Sequence, residues 1–196
     1  MKKLVLLITS VFIAFGTAAA DEAEIRALYK AFDKAMLAEE FDSAFQLLGK
    51  ESQELINEIR ELANTAEKAT LSKEPLSVLV TVFSVRKTAG DDPIENGPET
   101  LKAMGAQYAR SSDMTSLGEV TLNGEKASGE MLMNNKASGV KFAFIEEDGE
   151  WKFDMATQLE SSEELMKQSG MKKEDLIDQM AQGIGSDQFD PWQPIE

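Results

Sequence analysis

The chain is most tightly constrained between Leu117 and Met155, where alternating apolar and polar residues are separated by their own turn signals. Asn123-Gly124 and Asp148-Gly149 accept the positive φ angles of a tight hairpin, and Asn134-Asn135-Lys136 marks a looser bend between them. These turns delimit four strands, so the stretch is predicted to be an antiparallel meander. On the last strand Trp151, Phe153 and Met155 alternate with Lys152 and Asp154, as in a sheet with one buried face. Val140, Phe142 and Phe144 give the third strand a similar face. Ala143 and Ile145 on its reverse make it a central strand covered on both sides.

Helical spacing dominates what comes before. Ile25, Leu28, Tyr29, Phe32 and Met36 fall on one helix face, and Leu55, Ile59, Leu62 and Ala66 on another. Between them a short helix is expected from Phe41 to Leu48, with Asp42 as its cap and Gly49 at its end. The Val- and Phe-rich segment Pro75 to Gly90 has strand-like composition. Its polar residues Ser77, Thr81, Ser84 and Thr88 nevertheless recur at helical intervals, which makes it a mostly buried helix with Pro75 in the first turn. Pro98 opens another short helix through Leu101, Met104 and Tyr108. Beyond Gln158, Ser161-Ser162-Glu163-Glu164 reads as a capping box, Gly170 as a stop, and Leu176, Met180 and Ile184 as a second helix. The expected fold is therefore α+β: N-terminal amphipathic helices on a curved antiparallel sheet over residues 21–158, with a helical extension and tail over 159–196.

The first twenty residues read as an export signal: Lys2 and Lys3, an apolar core from Leu4 to Gly16, and small residues with Ala18 and Ala20 placed for cleavage before Asp21. The apolar core is shorter than the roughly 20 residues that span a bilayer, and no cysteine follows for lipid attachment. A bacterial periplasmic or secreted protein is expected, with no membrane span in the mature chain. Without the two leader lysines the formal charge moves from −15 to −17, a field that repels nucleic acid and anionic lipid and attracts basic proteins. Cysteine and histidine are both absent, which removes disulfides, thiolate and imidazole metal sites, the cysteine nucleophile and the Ser-His-Asp arrangement. No cofactor is expected.

Helices followed by a meander whose final strands read Val140-Lys141-Phe142-Ala143-Phe144-Ile145-Glu146-Glu147-Asp148-Gly149-Glu150-Trp151-Lys152-Phe153 resemble the nuclear transport factor 2-like superfamily. The hairpin around Asn123-Gly124, followed by Ala127, adds to the likeness, which covers about Glu22 to Met155. The resemblance implies a cone-shaped α+β fold whose curved sheet wraps around helices and encloses a pocket. It also implies a choice among isomerases, dehydratases and cyclases, non-catalytic binding modules, and immunity proteins against toxins. Its enzymes use an Asp base with Tyr or Asp donors, or a His-Asp pair, and the second set cannot exist here. The first would need Tyr29 or Tyr108 against a carboxylate such as Asp33 or Asp154, although Asp154 alternates away from Trp151 and Phe153.

Each of these residues also has an ordinary structural role. Tyr29 lies on an apolar helix face, where a buried ring with one hydrogen bond is the common case. Met131 and Met133 carry soft thioethers suited to Cu(I), yet methionines two apart on a strand more often fill a core, so no metal site is assigned. Asp187 and Asp190 lack the spacing of a calcium loop. In the tail, Trp192 is held between Pro191 and Pro194 with Phe189 nearby, so it is expected to dock, more readily on its own domain than on a partner. The functional expectation is an exported, non-enzymatic module that binds a small apolar ligand or a protein partner, toxin immunity being one version. The alternative is an isomerase, dehydratase or cyclase using Tyr and Asp.

Overall fold

The computed structural model describes residues 2–105, 115–168, 173–184 and 189–195. Among the described residues, six helices precede the sheet: α1 (Lys2–Leu37), α2 (Phe41–Gln46), α3 (Lys50–Thr65), α4 (Lys68–Leu71), α5 (Leu76–Ala89) and α6 (Gly97–Gly105). The sheet is β1 (Thr115–Asn123), β2 (Lys126–Met133), β3 (Lys136–Glu147) and β4 (Glu150–Phe153), all antiparallel and in sequence order. Among the described residues, two helices follow, α7 (Met155–Gln168) and α8 (Lys173–Ile184). This is the expected α+β architecture with a curved sheet. Part of the curvature has a local cause: the β1–β2 register shifts between Leu117 and Val120, and an irregularity of this kind bends a strand. Arg26 of α1 donates to the Leu117 and Gly118 carbonyls there and ties the helix to the irregular edge.

The turns follow their residues, with two adjustments. Asp148 and Gly149 both have positive φ and form the two-residue loop expected of them. Asn134 and Asn135 also have positive φ and join Met133 directly to Lys136, so this bend is tight rather than loose. Asn123 pairs with Lys126, so the first loop is Gly124-Glu125, one residue later than expected, with the positive φ carried by Gly124 alone.

Two apolar clusters result. The first lies beneath the sheet and joins Ile25, Tyr29, Phe32 and Met36 of α1 to Phe142, Phe144, Trp151 and Phe153. Phe153 sits at its centre, with ring centroids 4.7 Å from Phe32 and 5.0 Å from Phe144. Val140 is not part of this face; it is exposed, at 36%, as are all its neighbours from Lys136 to Lys141. The second cluster is helical and surrounds α5, whose Leu79, Val82, Phe83 and Val85 are completely buried. Pro75 to Gly90 is thus a buried helix, although Pro75 is its N-cap rather than part of its first turn. The stripe hydroxyls of Thr81, Ser84 and Thr88 donate to carbonyls four residues earlier, which satisfies them without outside partners.

Several local expectations yield to tertiary context. Asp42 sits inside the first turn of α2; the N-cap is Glu40, which makes no side-chain bond, and Gly49 is the N-cap of α3 rather than the end of α2. The buried face of α3 is Ser52, Ile56, Ile59 and Ala63, rotated from the expected stripe, with Leu55 and Leu62 half-buried at its margin. Ser161 caps nothing: α7 runs through it, and its hydroxyl donates to the Thr157 carbonyl. The boundary drawn at residue 158 falls inside this helix. On α8 the inward residues are Ile177, Ala181 and Ile184; the side chains of Leu176 and Met180 are outside the described set, as are Tyr108, Gly170 and Asp187.

Candidate functional site

Between α1 and the sheet the apolar residues leave a half-open cavity of about 360 Å³. Phe32 and Met36 enter it from α1, Leu101 and Met104 from α6, and Met131 and Met133 from β2. Phe142 and Phe153 form its floor on the sheet, while Met155, Gln158 and Leu159 of α7 close one side and Thr115 another. Each comes from a periodic element: strand residues two apart share a face, so Met131 and Met133 stand together, and α1 presents Phe32 and Met36 four apart. Gln158 and Thr115 supply the polar side chains among the described lining residues. Among the described residues lining the cavity, none is ionisable.

The four catalytic candidates do not assemble there. Tyr29 is buried beneath the cavity, its ring 5.2 Å from that of Phe142. Its hydroxyl makes no hydrogen bond of good geometry, with the Thr115 side chain beside it. Burial pushes this phenol above its ordinary value of 10.0; Thr115 draws it partly back and the Asp33 charge adds to the rise, so it stays neutral at ordinary pH. Asp33 is half-buried on α1 and does not line the cavity. Tyr108 is outside the described residues.

Asp154 departs furthest from expectation. It is 3% exposed rather than on the outer surface, because β4 ends at Phe153 and the chain turns into α7. Asp154 Oδ1 accepts the Thr157 N–H at 2.9 Å, so the carboxylate caps α7. Strand alternation therefore stops one residue before Asp154, and Met155 reaches the cavity from a helix.

A second depression, of about 750 Å³, lies between α3, the start of α5 and α7. Its wall carries Glu51, Glu54, Glu58, Glu74, Glu160, Glu163 and Glu164 around Leu55, Val78 and Leu159, with no lysine or arginine among its described lining residues. Glu163 Oε2 accepts the Ser77 N–H at 3.0 Å, which satisfies an orphan donor in the first turn of α5. Leu159 borders both hollows. Among the described residues no three acidic side chains converge on a possible metal position.

The tail docks on its own chain. Trp192 meets Phe83 edge-on at 4.9 Å, with Lys68 Nζ 4.6 Å above its ring, while Phe189 is half-buried. The anchor beneath is Arg86, which is completely buried and donates to four carbonyls: Leu62 and Ala63 at 2.9 Å, Ala66 at 2.6 Å and Pro191 at 3.0 Å. Burial lowers its pKa to about 10, against the opposing influence of Asp190, so the guanidinium remains charged. Three of its acceptors lie at the C-terminal end of α3, where the helix dipole favours a cation. Helical spacing gave no sign of Arg86, which reads as an ordinary basic residue near a helix end. The methionine lining was equally hidden, since Met36, Met104 and Met155 are separated in sequence from Met131 and Met133. Among the described residues no helix is long and apolar enough to cross a membrane. No family model matches the chain, and comparison with curated proteins and with solved structures finds no match.

Proposed function

We propose that the protein is an exported, non-enzymatic binding module of nuclear transport factor 2-like architecture that holds a small, uncharged, apolar ligand between α1 and the sheet. The observation that carries this reading is the half-open cavity of about 360 Å³ with aromatic and thioether walls and no ionisable side chain among its described lining residues. Its volume is within the range of ligand pockets. A dry cavity near 150 Å³ takes up benzene, so by scaling this one suits roughly 14 non-hydrogen atoms. A charged ligand would lose its hydration there without a counter-charge from the described lining residues, which favours a neutral one. The leader-like first twenty residues support export.

The enzymatic alternative draws less support, because Tyr29 lies beneath the cavity and Asp154 is committed to a helix cap. A basic protein partner is a second reading, favoured by the seven glutamates of the neighbouring groove. The test of the first is uptake of N-phenyl-1-naphthylamine, a neutral dye that fluoresces in apolar surroundings, by the purified protein. Saturable uptake that weakens in Phe142→Ala is expected. No uptake, or uptake indifferent to Phe142, refutes the reading.

A further inference from the structure

Among its described lining residues, five thioethers face the apolar cavity: Met36, Met104, Met131, Met133 and Met155. They are half of the ten methionines in the chain, and they come from four separate elements. Their access to solvent is graded. Met133 is 46% exposed, Met104, Met131 and Met155 are partly buried, and Met36 is 5% exposed. Met131 and Met133 stand two residues apart on β2, so both sulfurs reach the same rim. With no cysteine in the chain, thioethers are its softest oxidisable groups.

We infer that the cavity methionines are a modification site, at which sulfoxidation of Met133 and Met131 closes the pocket to its ligand and enzymatic reduction reopens it. The inference rests on the apolar-ligand reading above. In the step, a thioether sulfur gives its lone pair to the electrophilic oxygen of a peroxide, or to a hypohalous acid followed by water. A sulfur–oxygen bond forms, the oxidant's weak bond breaks, sulfur is oxidised by one electron pair, and the oxidant leaves as water or halide. Thiol-dependent methionine sulfoxide reductases reverse the change. The new oxygen is a strong acceptor placed in a wall whose polar side chains, among the described residues, are Thr115 and Gln158. Either the side chain swings out to water and the wall loses an apolar surface, or the oxygen stays and must be desolvated with the ligand. Both outcomes disfavour an apolar occupant. A leucine lining would fill the same space without this response, since its carbon branches are inert to such oxidants.

The experiment uses purified protein, N-phenyl-1-naphthylamine as the probe, limiting hydrogen peroxide or hypochlorous acid, and peptide mass mapping of each methionine. The expected order of oxygen addition among cavity residues is Met133 first and Met36 last. Probe affinity falls at least tenfold, about 1.4 kcal/mol, as Met131 and Met133 convert, and recovers after treatment with reductase. In Met131→Leu/Met133→Leu, whatever its own starting affinity, the same oxidant dose leaves that affinity nearly constant. The inference is overturned if the sulfoxides form and binding is unchanged, if Met133 resists while Met36 reacts, or if the double variant loses binding as the parent does. Failure of the untreated protein to take up the probe overturns the ligand reading and this inference with it. Uptake that is equal before and after oxidation overturns the inference alone.

Discussion

Replacing Arg86 by methionine keeps most of the side-chain volume and removes every donor. The carbonyls of Leu62, Ala63, Ala66 and Pro191 then face an apolar neighbour. Bonds to a charged donor contribute about 1.5–3 kcal/mol each, so four represent roughly 6–12 kcal/mol before offsets. Against this stands the desolvation of a completely buried guanidinium, several kcal/mol, which the substitution recovers. The net expected loss is about 3–5 kcal/mol, the difference between these two contributions. That is a large part of the 5–15 kcal/mol typical of a whole domain. Urea unfolding followed by circular dichroism measures it, and a chain ending at residue 188 completes a double-mutant cycle, because the truncation removes the Pro191 acceptor and the Trp192 contact. The two changes should be less than additive. The depressed Arg86 pKa of about 10 means that the burial penalty is present in full below that value and is relieved only as pH rises above it. The difference between parent and variant is therefore flat across the neutral range. A loss below about 1 kcal/mol, or strict additivity with the truncation, would show that the carbonyls find other donors and refute the argument.

Gly97→Ala places a methyl 2.5 Å and 2.6 Å from the Phe45 ring, too close for a stiff, buried neighbour, so about 1–3 kcal/mol of stability should be lost; an unchanged urea midpoint would mean that the ring moves freely. Asp154→Ala removes the α7 cap and should cost about 0.5–2 kcal/mol, with Asp154→Asn nearer to the parent, as thermal unfolding can compare. Tyr29→Phe removes a buried hydroxyl that lacks a well-formed bond, so stability at neutral pH should stay within about 1 kcal/mol of the parent or rise. Because the Tyr29 pKa is raised in the fold, the neutral phenol stabilises the parent fully below pH 10.0, and this is lost as pH climbs through the folded value. Tyr29→Phe should thus gain on the parent in alkaline unfolding, and a constant gap would contradict it.

The elements were legible where one periodicity acted alone. The turn pairs fixed the meander, and the polar stripe of α5 outweighed its strand-like composition because Ser77, Thr81, Ser84 and Thr88 each needed one consistent face. Legibility failed where a neighbour supplied what the local sequence lacked or withheld what it offered. Ser161 had the residues of a cap, yet Asp154 had already started that helix, and Glu163 of the same box serves α5 instead. The candidate site was the least legible part. A cavity is bounded by residues that approach only in three dimensions, and the thioethers of Met36 and Met155 carry no local pattern pointing to Met131. Helical spacing put Tyr29 on a buried helix face, but it could not say that neither Tyr29 nor Asp33 lines the cavity.

The Pro191 carbonyl on Arg86 and the Ile195 N–H on the Ala63 carbonyl also tie distant parts of the sequence into one unit. Each joins residues more than a hundred positions apart, and Trp192 adds its edge-on contact with Phe83. Loss of the tail would leave one direction of the buried guanidinium without its Pro191 acceptor and Phe83 without that neighbour. The tail and the helical layer around α5 should therefore open as one cooperative unit, rather than as a strap that frays first.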